Sequence, residues 1–221
     1  MSPCRAVLFD MDGVLVNSNP FHLQAWRALT RREGLQLSDA ELEYGLGGRI
    51  SVDILRHFLG PLPAARLQSL AAEKELLFRD AIRGRVQPFP GLHGFLQQLR
   101  NHGLRLAVAT SAPRANLELM LQELHLEHFF DGHVSAEDVS RGKPDPEVYL
   151  LAAAKLGCAA ATCAVVEDAV AGIQAGCAAG MRCVGVTSTQ PAHVLTAAGA
   201  KHTISDFTAS ELLAWVLADC G

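Results

Sequence analysis

Four short polar segments carry the side chains that could do chemistry. The first is Asp10-Met11-Asp12-Gly13, in which two carboxylates lie two residues apart and Gly13 permits a tight backbone turn. A carboxylate can attack phosphorus and hold an aspartyl-phosphate, while a second carboxylate handles the proton of the leaving group. The alternative for this segment is a strand end followed by an Asx-rich turn. Asp10 and Asp12 are therefore candidates for a nucleophile and an acid/base.

The second segment is Thr110-Ser111-Ala112, which follows another apolar run. Hydroxyls and backbone N–H groups between a strand and a helix can hold phosphate oxygens. The alternative is that Thr110 or Ser111 caps a helix near Asn116.

The third segment contains Lys143, between Gly142 and Pro144. Its ammonium group in a rigid loop is suited to neutralising a phosphate and an ionised nucleophile. Pro146 is predicted at the first helical position with Asp145 as the cap. The helix start explains the presence of Asp145 and Pro146 but not that of Lys143. The alternative interpretation of Lys143 is an ordinary surface lysine.

The fourth segment is Glu167-Asp168, two adjacent acids directly after an apolar run. Like charges crowded at that position are costly unless a cation compensates them. Together with Asp10, these acids could supply oxygen ligands to Mg²⁺. The alternative is that Asp168 caps the following helix.

Short apolar runs rich in β-branched residues alternate along the chain with longer helical patterns. Such runs are typical of strands buried on both faces, and therefore of a parallel sheet. The alternation predicts an α/β fold with a doubly wound, Rossmann-like core. Ligands bind beyond the carboxyl ends of parallel strands, so we expect the four segments to meet there. Strands are predicted at 6–9, 104–109, 163–166, 183–186 and 202–204, with helices at 92–101, 116–124, 147–156 and 169–179.

One region interrupts this alternation with helical patterns only. Residues 17–87 are predicted to form a helical cap inserted after the first strand, and residues 1–16 and 88–221 to form the catalytic core. Prolines at 88 and 90 predict a stiff return linker, because proline fixes φ and opposes helix continuation. Helices are predicted in this region at 23–32, 40–44, 51–58 and 64–82.

With these segments in this order, the chain resembles the haloacid dehalogenase superfamily over nearly its whole length. The resemblance is to the branch with β-phosphoglucomutase-like and phosphoglycolate-type phosphatases. It implies that Asp10 is the nucleophile, and that Asp12 is the general acid/base with its backbone carbonyl on Mg²⁺. It also implies a mobile cap that closes over the substrate. The remaining implied roles are phosphoryl binding by Thr110 with Ser111 and Ala112, a bridge from Lys143 to Asp10, and metal binding by Glu167 and Asp168.

Some residues bear on the activity within this family. Dehalogenating and phosphonate-cleaving members lack an acid at the position of Asp12, so Asp12 favours phosphate-ester chemistry. Mutases of the branch carry a lysine in the segment that reads Leu46-Gly47-Gly48-Arg49 here. Gly47 therefore argues against a mutase, and Gly48-Arg49 matches phosphatases. Arg49 is a candidate substrate contact, with a solvated turn arginine as the alternative.

Other cap positions also match the family. His22 and Trp26 match residues that face the active site in sugar-phosphate members, although an aromatic residue at helical spacing is often core. Lys74 matches a cap lysine that some relatives link to the hinge histidine. Asn17 stands where the family commonly has Asp, and we expect altered hydrogen bonding at the hinge.

Composition excludes several other classes. The chain has 221 residues, a formal net charge of −4 and no block of Lys or Arg, so we expect no nucleic-acid partner. It shows no signal-peptide core and no apolar span, which predicts a cytosolic protein without a membrane partner. The six cysteines lack zinc spacing and are expected to be small apolar core residues.

The first hypothesis is a Mg²⁺-dependent phosphatase acting on a small phosphorylated sugar, polyol or similar metabolite. A second is a sugar phosphomutase, and a third is a binding or regulatory protein that keeps the fold without turnover. The motif residues are all present, which argues against the third hypothesis. Neither the individual substrate nor the oligomeric state follows from the sequence.

Overall fold

The computed structural model describes residues 3–45 and 51–218. The described residues fall into two compact units whose boundaries lie after Asn17 and after Val86. One unit contains both ends of the chain, and the other is the segment inserted between them. The sequence pattern predicts these boundaries at residues 16/17 and 87/88.

The first unit is built on a six-stranded sheet in which every pair of neighbouring strands is parallel. The strand order is β3-β2-β1-β4-β5-β6, which reverses direction at β1. This is the doubly wound α/β core expected from the sequence. The strands are β1 (Ala6–Phe9), β2 (Arg105–Ala109), β3 (Gly132–Val134), β4 (Cys163–Glu167), β5 (Arg182–Val186) and β6 (His202–Ile204).

The central strand β1 is completely buried along its length. It pairs with β2 on one side and with β4 on the other, so that Phe9 lies opposite both Val108 and Val166. This register brings the ends of β1, β2 and β4 level with one another. Polar residues that follow these three strands are therefore held side by side.

Helices of the first unit pack apolar faces against the sheet. In α5, the buried residues Leu92, Phe95, Leu96 and Leu99 recur at helical spacing and leave the opposite face exposed. The helices are α5 (Leu92–Asn101), α6 (Arg114–Glu123), α7 (Glu147–Lys155), α8 (Val170–Ala178), α9 (Ala192–Ala198) and α10 (Glu211–Leu217).

Three elements of this unit are absent from the sequence prediction. Strand β3 has three residues, of which Val134 alone is fully buried, and it lies at the edge of the sheet. A run that short and half-exposed carries no periodic signal. Helices α9 and α10 have seven residues each, too few for a clear helical pattern.

The second unit contains helices and no strand within its described residues, 18–45 and 51–86. Its helices are α1 (Asn19–Arg32), α2 (Asp39–Leu42), α3 (Ser51–Leu59) and α4 (Ala64–Ile82). They share a hydrophobic core in which Trp26, Leu29, Leu55 and Leu70 are buried. The helical character predicted for this segment is therefore present.

Two further expectations concern the whole described chain. None of the helices within residues 3–45 and 51–218 is long and apolar enough to cross a membrane.

The expectation that the cysteines are core residues is wrong for Cys177, which is exposed, whereas Cys163 and Cys183 are buried. Cys177 lies near the end of α8, where the helix meets solvent.

Candidate active site

Asp10 is positioned by the backbone of the sheet. It directly follows β1, and its N–H donates to the carbonyl of Val166 at 2.9 Å. The residue is 7% exposed. Next to it, Gly13 has a φ of +78° and donates its N–H to the carbonyl of Val16 at 2.8 Å, which closes the loop after the strand. This left-handed conformation strains any residue other than glycine.

Lys143 is a buried lysine that joins two carboxylates. Its Nζ donates to Asp10 Oδ1 at 2.6 Å and to Glu167 Oε1 at 2.7 Å. A third bond goes to the carbonyl of Ala109 at 3.2 Å, at the end of β2. The Lys143 side chain is 5% exposed, so it is not the surface lysine of the alternative interpretation. One cation thus links the ends of β1, β2 and β4.

Glu167 is held by hydrogen bonds on both carboxylate oxygens. Oε1 accepts from Lys143 and from the hydroxyl of Tyr149, the latter at 2.9 Å. Oε2 accepts from the backbone N–H groups of Asp168 and Ala169, each at 2.9 Å. These bonds make Glu167 a rigid anchor for Lys143, while its assignment as a direct metal ligand stays a prediction.

Tyr149 is a residue of this site that the sequence analysis missed. It is fully buried on α7, and the Lys143 Nζ lies 4.9 Å from the centre of its ring. The phenol therefore contributes both a hydrogen bond to Glu167 and an aromatic face to the ammonium group. The signal that could have found it is its position six residues after Lys143, on the inward face of the next helix.

Asp168 lies close to the loop that carries Asp10. A Cβ placed on Gly13 would lie 2.0 Å from Asp168 Oδ2, so a larger residue at position 13 would require Asp168 to move. The hydroxyl of Ser188 donates to the carbonyl of Gly13 at 2.5 Å, and Thr189 hydrogen-bonds to Asp168. Ser188 and Thr189 follow β5 and were also missed, although the strand-end rule that selected the other segments applies to them.

Thr110 is buried at the end of β2 and shapes the turn that follows. Its N–H donates to the carbonyl of Val134 at 3.0 Å, and its Oγ1 accepts from the N–H of Ala112 at 3.0 Å. Helix α6 begins later, with Pro113 at its N-cap. The alternative in which Thr110 or Ser111 caps that helix is therefore wrong.

Two other capping expectations also fail. Helix α8 has Ala169 at its N-cap, so Asp168 does not cap it. Helix α7 begins at Glu147, the first residue of the predicted range 147–156, but Pro146 is at its N-cap and not at the first helical position. Asp145 still serves this end, because its Oδ1 accepts from the N–H of Glu147 at 3.0 Å.

The electrostatics of the site reflect three buried acids around one lysine. Burial raises the pKa of Asp10 to about 7, opposed by Lys143 and reinforced by Glu167 and Asp12. Burial, with the charges of Glu167 and Asp10, also raises the pKa of Asp168 well above its usual range. Burial alone would lower the pKa of Lys143, but the adjacent carboxylates raise it above its ordinary value. Lys143 therefore stays protonated at neutral pH.

The donor set fits Mg²⁺. Asp10, Glu167 and Asp168 each offer a carboxylate oxygen, and these oxygens lie within 4.8 Å of one another. Hard oxygen ligands of this kind suit Mg²⁺, which takes a few carboxylates and completes its shell with other oxygens. Burial first, and then the neighbouring carboxylates, raise the pKa values of Asp10 and Asp168 despite the positive charge of Lys143. A divalent cation at the cluster would offset the negative charge of these acids.

A second buried polar group lies within the inserted unit. Lys74 Nζ is 2.9 Å from His22 Nδ1 and 3.0 Å from Glu75 Oε1. The His22 ring stacks on Phe78 with the ring centres 3.9 Å apart. Trp26 is fully buried in the core of this unit, and Lys74 Nζ lies 5.1 Å from its ring centre. The substrate contacts expected of His22 and Trp26 stay predictions.

The remaining predicted residues are less informative. Asp12 is half-buried, and its negative charge is one of the causes that raise the pKa of Asp10. Asn17 is exposed at the boundary of the two units. Arg49 and Gly47 lie outside the described residues.

Comparison with known proteins identifies the family. Residues 4–180 match the model of the haloacid dehalogenase-like hydrolases. The chain belongs to this family. Within the haloacid dehalogenase-like hydrolases, it is 35% identical to hexitol phosphatase A of Escherichia coli, with 84% of each chain covered. It is also 32% identical to the β-phosphoglucomutase of Bacillus subtilis, with 85% of each chain covered.

A solved structure supports the same family at the level of the fold. The haloacid dehalogenase hydrolase of family IA, variant 3, from Entamoeba histolytica aligns with a TM-score of 0.88 and 28% identity. The alignment covers 96% of this chain and 97% of that one. The family resemblance stated from the four polar segments is thereby confirmed.

Proposed function

We propose that this chain is a Mg²⁺-dependent phosphatase that hydrolyses phosphate monoesters of small sugars, polyols or similar metabolites. The observation that carries the proposal is the buried contact of Lys143 with both Asp10 and Glu167, at 2.6 Å and 2.7 Å. The similarity to hexitol phosphatase A supports the substrate class. Phosphoryl transfer needs a positioned nucleophile and concentrated positive charge, and this cluster has both.

Asp10 is the proposed nucleophile. Its carboxylate attacks the phosphorus of the ester, and an aspartyl-phosphate forms as the ester oxygen departs. Asp12 donates the proton that this leaving oxygen requires. Asp12 then removes a proton from water, which attacks the aspartyl-phosphate and regenerates Asp10. Phosphate and the free alcohol are the products.

Charge compensation accounts for the other buried residues. The protonated Lys143 offsets negative charge on Asp10 and on the phosphoryl oxygens throughout the reaction. Glu167 and Tyr149 keep Lys143 in place, since Tyr149 donates to the same Oε1 that accepts from the ammonium group. Asp10, Glu167 and Asp168, with the Asp12 carbonyl, would hold Mg²⁺. Bound Mg²⁺ would supply additional positive charge to the phosphoryl oxygens.

The inserted helical unit is proposed to act as the cap that selects the substrate. The proposed substrate contacts are His22, Trp26 and Arg49 in this unit, and Thr110, Ser111 and Ala112 in the core. Of these, His22 has the strongest support, since its ring is half-buried and oriented by Lys74 and Phe78. His22→Ala should raise KM more than it lowers kcat if the residue binds substrate uniformly.

A sugar phosphomutase is the second candidate, favoured by the similarity to the β-phosphoglucomutase of Bacillus subtilis. In that reaction the phosphoryl group would return to a different hydroxyl. Gly47, where mutases of this branch carry lysine, argues against it. The two reactions differ in their products, because a mutase yields an isomer and a phosphatase yields free phosphate.

The deciding experiment is phosphate release from a panel of sugar, polyol and glycolate phosphates, with and without Mg²⁺. Each assay is paired with the Asp10→Asn variant, which keeps the shape of the side chain. We expect release that needs both Mg²⁺ and Asp10 and that is fastest with sugar or polyol phosphates. Isomer formation without phosphate release would favour the mutase. Equal release by the wild type and by Asp10→Asn would contradict the mechanism.

A further inference from the structure

Two cysteines lie in contact behind the acidic cluster. Cys177 is in the last turn of α8, and Cys183 is the second residue of β5. Their sulfur atoms are 3.8 Å apart. Cys177 is exposed to solvent, whereas Cys183 is fully buried. An oxidant in solution can therefore reach the first sulfur, and the second lies directly behind it.

Two glycines make room for the two sulfur atoms. A Cβ on Gly176 would lie 2.5 Å from Cys183 Sγ, and a Cβ on Gly199 would lie 2.6 Å from Cys177 Sγ. Cys177 Sγ also lies 3.6 Å from the carbonyl of Gly199, and Cys183 Sγ lies 3.6 Å from that of Ile173. Both sulfur atoms therefore occupy space that a side chain at position 176 or 199 would fill.

The helix that carries Cys177 also packs against Glu167. A Cβ on Gly172 of α8 would lie 1.6 Å from Glu167 Oε1. The helix backbone therefore lies directly against the carboxylate that accepts a hydrogen bond from Lys143. Cys183 is paired with Val165 in the sheet, two residues before Glu167. A disulfide bond is about 2.05 Å long, so the two sulfur atoms, now 3.8 Å apart, must approach each other for it to form. We expect this approach to shift α8 and, with it, the contact between Gly172 and Glu167.

We propose that Cys177 and Cys183 form a peroxide-sensitive dithiol, and that their oxidation to a disulfide lowers the activity of the acidic cluster. The predicted loss of activity rests on the proposed phosphatase function. The predicted oxidation of the two thiols to a disulfide does not depend on that function. The ligand of this second site is a hydroperoxide, small enough to reach the exposed sulfur of Cys177.

The reaction takes place in two balanced steps. The Cys177 thiolate attacks one oxygen of hydrogen peroxide, the O–O bond breaks, and the released hydroxide takes up a proton to form water. Cys177 is then a sulfenic acid. The sulfur of Cys183 attacks the sulfur of Cys177, the S–O bond breaks, and the oxygen leaves as a second water with the thiol proton. The two thiols have together reduced one peroxide.

The environment assigns different roles to the two residues. Burial, together with the neighbouring Cys177 sulfur, raises the pKa of the Cys183 thiol, so Cys183 is poorly reactive toward an oxidant in solution. Exposure makes Cys177 the position that is oxidised first. Cys183 then resolves the sulfenic acid because its sulfur lies in contact with that of Cys177.

The full chain can be tested directly with hydrogen peroxide. After oxidation, alkylation and tryptic digestion without reductant, cleavage at Lys155, Arg182 and Lys201 separates peptides 156–182 and 183–201. We expect these peptides joined by a disulfide that dithiothreitol removes. Cys158→Ser, which alters another cysteine of the same peptide, should keep the link, and Cys177→Ser should lose it. Sulfinic acid at Cys177 without a link would overturn the proposal.

Phosphate release is measured on the same samples. We expect a fall of about tenfold, since misplacement of reacting groups by about 1 Å can cost up to about 10²-fold in rate. Dithiothreitol should restore the rate, and Cys177→Ser should be insensitive to peroxide. A link without loss of rate would overturn the switch. If the reduced wild type releases no phosphate, the proposed function has failed. The effect of oxidation is then measured by the rise in Tm on adding Mg²⁺. We expect that rise to be smaller for the oxidised protein.

Discussion

The ammonium group of Lys143 lies 2.6 Å from Oδ1 of Asp10, although 133 positions separate the two residues in the chain. The contact is buried on both sides, with 5% and 10% of the two side chains exposed. A buried lysine of this kind is costly unless its charge is fully paired, and Glu167 provides the second partner. The fold thus brings a permanent cation to the oxygen atoms of the proposed nucleophile.

Replacing Lys143 by alanine removes the cation and leaves Asp10, Glu167 and Asp168 facing one another. We expect kcat for phosphate release to fall by about 10²–10³-fold, the usual effect of losing one electrostatic stabiliser. Breaking a buried ion pair typically costs about 3–5 kcal/mol, so the metal-free variant should also unfold at a lower temperature. Kinetic assays and thermal denaturation measure the two effects.

The matched control is Lys201→Ala, which removes a lysine that is exposed. It should leave both kcat and Tm close to those of the wild type, because isolated surface charges contribute little. Lys143→Ala with wild-type kcat would show that the contact with Asp10 has no part in turnover.

Tyr149→Phe tests the hydroxyl that positions Glu167 and, through it, Lys143. The ring and its packing are retained, and the bond from the hydroxyl to Glu167 Oε1 is lost. We expect kcat to fall about tenfold with little change in KM for the substrate, since a hydrogen bond to a charged group contributes about 1.5–3 kcal/mol. Steady-state kinetics with saturating Mg²⁺ separate the two constants.

Tyr44→Phe is the comparison, because it removes the hydroxyl of a tyrosine in the inserted unit while keeping the ring that stacks on His57. Its kcat should match the wild type. If Tyr149→Phe raised KM by the same factor by which it lowered kcat, the result would indicate a general disordering of the site and not a displacement of Lys143.

Gly13→Ala tests the close approach of the first loop to Asp168. The added Cβ would lie 2.0 Å from Asp168 Oδ2, and the φ of +78° is unfavourable for alanine. Asp168 must move, so Mg²⁺ should bind more weakly and the rise in Tm on adding Mg²⁺ should shrink. Gly94→Ala is the matched control, since its Cβ meets nothing within 4 Å. Unchanged Mg²⁺ binding in Gly13→Ala would count against Asp168 as a ligand.

The pKa of Asp10 predicts the pH dependence of metal binding. Burial raises this pKa to about 7, so Asp10 is protonated below that pH and Mg²⁺ must displace the proton. Affinity should therefore weaken as the pH falls, with a Kd about tenfold higher at about pH 6 than at about pH 8 for one such proton. Isothermal titration at the two pH values measures the change. The same Kd at both would show that Asp10 is ionised throughout.

Much of this site follows from the sequence because it depends on strand ends. Asp10, Thr110 and Glu167-Asp168 each follow an apolar run, and parallel strands must place such residues at one edge. Lys143 is the exception, since it lies in a loop before a helix and no strand predicts where it points. The family resemblance implies that Lys143 bridges to Asp10, and the structure shows the two side chains in contact.

The residues that were missed act from less predictable positions. Tyr149 reaches Glu167 from a helix face, where an aromatic residue is usually part of the core. The contact of Cys177 with Cys183 depends on glycines that leave room for the two sulfur atoms. The spacing of the two cysteines in the sequence matches no known motif. Such contacts arise from packing and become visible in three dimensions.

The most direct test of the central claim is chemical trapping of the phosphorylated enzyme. A reacting substrate is mixed with the wild type and Mg²⁺, the reaction is quenched, and borohydride reduces any aspartyl-phosphate to homoserine before peptide mass mapping. We predict homoserine at position 10, present with substrate and Mg²⁺ and absent without either one. Phosphate release at full rate with no modification at Asp10, or with the modification at another carboxylate, would contradict Asp10 as the covalent nucleophile.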